Sequence, residues 1–180
     1  MNSDIQSVLL TEEQIAARVR ELGEKISRDY QGRDLTIVSI LKGSVVFVSD
    51  LIRAVTIPVK LDFFSVSSYG KGVKSSGVVR ILKDLDESVE NQHVLIVEDI
   101  LDSGRTLRYI MNLMETANPA SLALCTLLDK PERRVEKGIE CHYTGFTVPD
   151  EFLVGYGLDY DQQYRSLPYI GVLSPAVYNK

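Results

Sequence analysis

Two acids, Glu98 and Asp99, stand side by side after the apolar run Val94-Leu95-Ile96-Val97, and Asp102-Ser103-Gly104-Arg105-Thr106 follows closely. Adjacent carboxylates accept hydrogen bonds from the hydroxyls of a ribose, or hold a magnesium ion that those hydroxyls also ligate. The amides of Ser103, Gly104, Arg105 and Thr106, with two hydroxyls beside them, precede a helical pattern at Leu107, Ile110, Met111 and Met114. They would cradle a phosphate at the positive end of that helix. Gly104 permits the close backbone approach such a cradle needs. Together these groups specify a sugar phosphate, and Asp102, lying between the two subsites, is placed to act as general base or acid at the sugar.

These residues need a rigid frame. Thr11-Glu12-Glu13-Gln14 has the form of a capping box, and Ile15, Val19, Leu22 and Ile26 recur on one helical face, predicting a helix to about Tyr30. Leu35 to Leu41 reads as a strand, Lys42-Gly43-Ser44 as a tight loop and Val45 to Ala54 as a helix. Pro58 to Ser68 and Val78 to Leu82 read as further strands. The segment between them, rich in glycine and serine, is expected to be a mobile loop. Val94 to Val97 is a strand buried on both faces, its helix ends near Asn118-Pro119, and Leu122 to Leu128 is a second buried strand. Strand, loop, helix, strand in repetition indicates an α/β fold with a parallel sheet covered by helices and ligands at the carboxyl ends of its strands. From Ile139 onward, Tyr, Phe, Val and Gly suggest short strands and a hood over the site.

With 180 residues and 44% hydrophobic composition, the chain can bury the core of one domain, here residues 1–180. A net charge of -5 gives the molecule as a whole no electrostatic attraction to nucleic acid or to an anionic membrane. The start, MNSDIQSVLLTEEQ, has no secretory-signal pattern, and no run approaches the roughly 20 apolar residues of a membrane span, so a cytoplasmic protein is expected. Cys125 and Cys141 belong to no CxxC pair or zinc-spaced cluster and read as reduced packing residues.

Taken alone, an acid pair at a strand end is more often a solvated rim or a helix cap. A strand ending in Val-Glu-Asp also opens receiver domains, but near the domain start and without the Asp-Ser-Gly-Arg-Thr continuation seen here. The nine residues Glu98 to Thr106 instead closely resemble the phosphoribosyl pyrophosphate-binding signature of type I phosphoribosyltransferases. Some members carry threonine at the position of Ser103, and lysine or leucine at that of Arg105; neither difference disturbs the cradle.

The resemblance extends from about Leu9 to Tyr178 and is closest to the bacterial hypoxanthine-guanine members. It implies that Lys42 and Gly43 form a pyrophosphate-binding loop, with a cis peptide before the lysine, and that Arg165 also contacts pyrophosphate. Ser68-Tyr69 resembles the head of a lid that closes over the reacting centre and keeps out water. By the same resemblance Lys130 faces the oxygen at C6 of a purine, which favours 6-oxopurines over adenine. Phe152 stacks on the base, the backbone near Leu153 reads its edge, and Asp159 holds a second magnesium ion. Without the resemblance, Lys42, Lys130 and Arg165 read as surface charges, Ser68-Tyr69 as a hairpin tip and Phe152 as core.

The implied substrates are phosphoribosyl pyrophosphate and a 6-oxopurine, with magnesium held by Glu98, Asp99 and Asp159. A hood built from the N-terminal segment and about residues 140–180, and assembly as a homodimer or homotetramer, are implied too. Competing readings are transfer to another base, including xanthine or a pyrimidine, and a nucleic-acid-binding regulator that senses the same ligand. The second would show a basic surface or an added winged helix, for which an acidic chain of 180 residues has no room.

Overall fold

The computed structural model describes residues 3–68 and 79–178. Strand β1 (Ile5–Leu10) leads into helix α1 (Glu12–Asp29), which starts where expected: Thr11 Oγ1 accepts from the Gln14 amide, and the Thr11 amide donates to Gln14 Oε1 at 2.8 Å. β2 (Leu35–Leu41), α2 (Val45–Ala54), β3 (Val59–Ser68) and β4 (Val79–Lys83) follow. Next come β5 (His93–Leu101), α3 (Arg105–Thr116), β6 (Ser121–Asp129) and a 3-10 turn at Pro131–Arg133. β7 (Tyr143–Thr147), β8 (Leu153–Val154), β9 (Ile170–Leu173) and the short α4 (Pro175–Tyr178) complete the described chain.

Six strands form the main sheet in the order β4-β3-β2-β5-β6-β7, all parallel except β4. The parallel sheet expected from the pattern is present, with one antiparallel strand, β4, at its edge. β3 and β4 are neighbours in both sequence and space, so their connection needs no crossover helix. A second sheet, β1-β9-β8, is antiparallel and draws its strands from the two ends of the chain.

Alternation along the central strands decides the layers. Val94 and Ile96 of β5 pack with Leu107, Ile110 and Met114 of α3, whereas Leu95 and Val97 point to the other face among Ile15, Leu22 and Ile26 of α1 and Phe47 and Leu51 of α2. All four β5 side chains are fully buried. Each contributes about 1.5–3 kcal/mol of burial, which makes β5 a stiff support for whatever its carboxyl end carries. β5 is also longer than the apolar run suggests. Glu98 still pairs with Thr126 and Leu101 with Asp129, so the acid pair lies within the strand and the loop begins only at Asp102. Backbone pairing with β6 carries the strand past the point where apolar character stops.

Both cysteines are free, Cys125 buried and Cys141 half-buried. No helix among the described residues is long and apolar enough to cross a membrane.

Candidate active site

The chain turns from β2 to α2 on one face of the sheet and from β5 to α3 on the other, and β2 and β5 are neighbours. Such a switch leaves a crevice at the carboxyl ends of the two strands. Lys42 and Gly43 leave β2 there, and the Leu41–Lys42 peptide is cis. Lys42 is exposed, while Gly43 presses against the acids: a Cβ at Gly43 would lie 1.6 Å from Asp99 Oδ2. With the Asp99 carboxylate where it stands, only glycine fits this approach, so the loop after β2 lies directly against Asp99.

The two acids are poorly matched to their surroundings as ions. Burial, reinforced by the neighbouring Asp99 charge, pushes Glu98 well above the usual carboxylate range, and its Oε2 is buried without a hydrogen-bond partner among the described residues. Burial likewise raises Asp99 to about 6; the Asp159 charge adds to this and Arg165 works against it. Buried carboxylates left without cationic partners are a common mark of a functional site.

Beyond them the chain forms the cradle. Gly104 is the N-cap of α3 with φ +83°, and a Cβ there would meet Ile139 Cδ1 at 2.7 Å, so both conformation and space demand glycine. The first turn of α3 contains no acid and Gly104 offers no side-chain cap; Arg105 and Thr106 are exposed. That helix end therefore presents its amides to solvent. Residues 134–136 brace the loop from behind. The amides of Val135 and Glu136 both donate to the Ser103 carbonyl at 3.0 Å. The Arg134 guanidinium donates to the carbonyls of Asp102 at 3.0 Å and Leu101 at 3.3 Å, and pairs with Asp129. Asp102 itself keeps Oδ1 buried and without a hydrogen-bond partner among the described residues, while Oδ2 lies 3.9 Å from Arg133. An unengaged carboxylate oxygen is what a general base requires.

A cleft of about 450 Å3 is lined by Asp99 and Asp102 together with Lys130, Phe152, Leu153 and Asp159, and the Lys130 amide donates to the Leu101 carbonyl at 3.0 Å, beside the end of β5. Lys130 is only 5% exposed; its Nζ donates to the Glu151 carbonyl at 2.5 Å and lies 3.8 Å from Asp150. Burial lowers its pKa, and Asp102 and Asp150 pull it back up. Arg165 closes the rim, donating to the Gly157 carbonyl at 2.7 Å and pairing with Asp159 at 2.8 Å. Phe152, 38% exposed, stacks on Tyr178 with centroids 5.0 Å apart. A hollow of about 420 Å3 opens at the other end of the sheet near Lys60, Asp62 and Gln92. There Asp62 is satisfied by the amides of Phe63 and Asp86 and by Lys83, so no group is left waiting for a ligand.

The chain as a whole matches known proteins. Residues 6–161 match the model of the phosphoribosyl transferase domain family. The chain belongs to that family. It is similar to a hypoxanthine-guanine phosphoribosyltransferase of Mycobacterium tuberculosis, with 54% identity over 97% of this chain and 89% of that protein. A protein of the same description from Staphylococcus aureus is 52% identical, covering 99% of each chain. A crystal structure of a Staphylococcus aureus hypoxanthine phosphoribosyltransferase superposes with a TM-score of 0.95 at 52% identity over 100% of both chains.

As a phosphoribosyl transferase, the chain brings nearly all of its expected site residues to one crevice. Lys42, Gly43, Glu98, Asp99, Asp102 to Thr106, Lys130, Phe152, Leu153, Asp159 and Arg165 all stand at the carboxyl end of the main sheet or on the segments that face it. Ser68 ends β3 and Tyr69 lies outside the described residues. Missing from the sequence reading were Ile100, Arg133, Arg134, Asp150, Leu158 and Tyr178. Only the Arg133-Arg134 pair carried a signal, a dibasic step just after Lys130 at a strand end.

Magnesium is the ion a pyrophosphate substrate brings to such a site. Glu98 and Asp99 suit it, since a cation beside them would relieve the burial and repulsion that raise both acids. Asp159 differs, being engaged with Arg165 and with the Gln162 amide at 2.9 Å. Among the described residues no group of three or more His, Cys, Asp or Glu side chains could hold a metal ion by itself.

Proposed function

We propose that the protein transfers the 5-phosphoribosyl group of phosphoribosyl pyrophosphate to hypoxanthine and guanine, giving IMP and GMP with release of pyrophosphate, as a purine salvage enzyme. The observation that carries this reading is the cleft that Asp99 and Asp102, of the strand-loop-helix Glu98 to Thr106, line together with Lys130 and Phe152. The names of its relatives, more than 50% identical over nearly their whole length, support the choice of base.

Glu98 and Asp99 hold the ribose hydroxyls, and Ser103 to Thr106 bind the 5′-phosphate through backbone amides and hydroxyls. The Lys42-Gly43 loop and Arg165 bind pyrophosphate. Lys130 donates to the 6-oxo group, Phe152 stacks on the ring and the backbone at Leu153 reads its edge. N9 of the purine forms the bond to the anomeric carbon as the bond to the pyrophosphate oxygen breaks and its electron pair leaves with that oxygen. Asp102 takes or shares the proton at N7 through its unengaged oxygen. Magnesium held by Glu98 and Asp99, with Asp159 contributing to a second ion, supplies neutralisation of charge on the departing pyrophosphate. Ser68 and Tyr69 head the lid that excludes water.

The same reading makes the protein cytoplasmic, in keeping with two free thiols, and a homodimer or homotetramer. Residues 1–180 act as one domain with the β1-β9-β8 sheet as its hood. Steady-state assays with hypoxanthine, guanine, xanthine, adenine, uracil and orotate test the assignment. Turnover confined to 6-oxopurines is expected; activity with only a pyrimidine would overturn it, and tight binding of phosphoribosyl pyrophosphate without turnover would mark a regulator instead.

A further inference from the structure

Phe152 is held in place by two other aromatic rings. Tyr178 stacks on it at 5.0 Å with planes 25° apart, and Tyr160 meets it edge-on at 5.5 Å and 87°. Tyr160 and Tyr178 are themselves only 6.4 Å apart. Were they on opposite faces of Phe152, their separation would approach the sum of their distances to it. They therefore sit on one side, Tyr178 over a face and Tyr160 at the rim, and the opposite face of Phe152 is free of both. Phe152 is 38% exposed and lines the cleft with Lys130, Ile100 and Tyr178 itself; with one face covered by Tyr178 and a rim by Tyr160, the face left for a base is the other one. Tyr178 is fixed in turn by its own segment: the Leu173 amide donates to the Phe152 carbonyl at 2.8 Å, the Ser174 amide to the Asp4 carbonyl at 2.8 Å, and the Val177 amide to the Ser174 carbonyl at 2.9 Å.

We infer that Tyr178 is a positioning residue for the purine subsite: it fixes the Phe152 ring so that its free face meets the base already ordered. This rests on the purine reading above. A ring without its backing partner would have to be immobilised each time a base binds, at a cost in affinity. The chemistry of ribose and pyrophosphate, assigned above to other residues, would not be affected.

Steady-state kinetics on the full chain separate these effects. In Tyr178→Ala the KM for hypoxanthine and guanine should rise about 3- to 10-fold, the effect of losing one aromatic stack. The kcat and the KM for phosphoribosyl pyrophosphate should stay within about twofold. Tyr178→Leu, which keeps apolar bulk without a ring, should share the defect and guards against a folding artefact. Tyr178→Phe should restore wild-type values, because the stack needs no hydroxyl. The inference is overturned if Tyr178→Ala leaves the base KM unchanged, if both substrates lose affinity together, or if the phenylalanine variant is as impaired as alanine. Wild-type protein inactive on both bases would instead remove the purine reading, and the inference with it.

Discussion

The wall that carries Asp99 and Asp102, part of the segment Glu98 to Thr106, hangs from the end of a fully buried strand and is continuous in sequence, whereas the rest of the cleft is lined by Lys130, Asp150 to Leu153, Leu158, Asp159 and Tyr178. On the function proposed above, the first would recognise groups common to any phosphoribosyl substrate, and backbone amides at a helix end with two acids beside them suffice for that. The second would recognise one base among several, which requires side chains converging from different directions on a flat ring. Their electrostatics differ accordingly. On the first wall Glu98 Oε2 and Asp102 Oδ1 are buried without partners among the described residues, while on the second Lys130, Asp159 and Arg165 are already engaged with protein groups. One wall waits for its ligand with unmet charge and the other is largely preassembled.

Substitutions on either wall can break this contrast. The largest effect is expected for Asp102→Asn, which keeps the shape of the loop and removes the base: kcat should fall about 10²- to 10⁴-fold with little change in the KM for phosphoribosyl pyrophosphate. Equal losses in turnover and binding would make Asp102 a binding group. Next, Lys130→Gln should raise the KM for hypoxanthine by about 10- to 100-fold, as removal of a charged donor predicts. If the KM for phosphoribosyl pyrophosphate rose in step, the two walls would not be separable.

The smallest effect is on stability and has the opposite sign. Asp99 is raised from 3.8 to about 6 in the folded protein, so its charged form is disfavoured by folding. That cost is absent below the unfolded pKa, grows as pH rises from about 4 to 6, and is constant above. Asp99→Asn should therefore increase stability by about 1–3 kcal/mol at pH 8, raising Tm by several degrees, and the advantage should shrink as pH falls from 6 toward 4. Thermal unfolding at both ends of that range checks it; a variant destabilised at pH 8 would mean that the acid supports the fold. An activity loss accompanying the gain would show stability given up for function.

How far each wall could be read in advance follows from how it is built. Residues 98–106 were legible because strand, acids, cradle and helix start succeed one another along the chain. Even there the extent of β5 was not, since Glu98 and Leu101 stay in the sheet through pairing with β6. Arg134 was not legible either. Its contacts run to carbonyls about thirty positions earlier, and the dibasic step Arg133-Arg134 does not by itself say which main-chain oxygens a guanidinium will serve. Phe152 could be identified only by resemblance, because a lone aromatic among valines has the same signature whether it faces a core or a cleft.

Sequence by itself determined an α/β sheet with a phosphate-binding strand-loop-helix, because alternating burial, capping and exposed helix amides are local properties written in consecutive residues. Only the tertiary structure decided that Gly43 touches Asp99, that Arg134 braces Asp102, and that Tyr178 stacks on Phe152 beneath the opening where the base is expected. Those contacts join segments distant along the chain, and they follow from how the sheet order and the terminal strands pack rather than from any one stretch of residues.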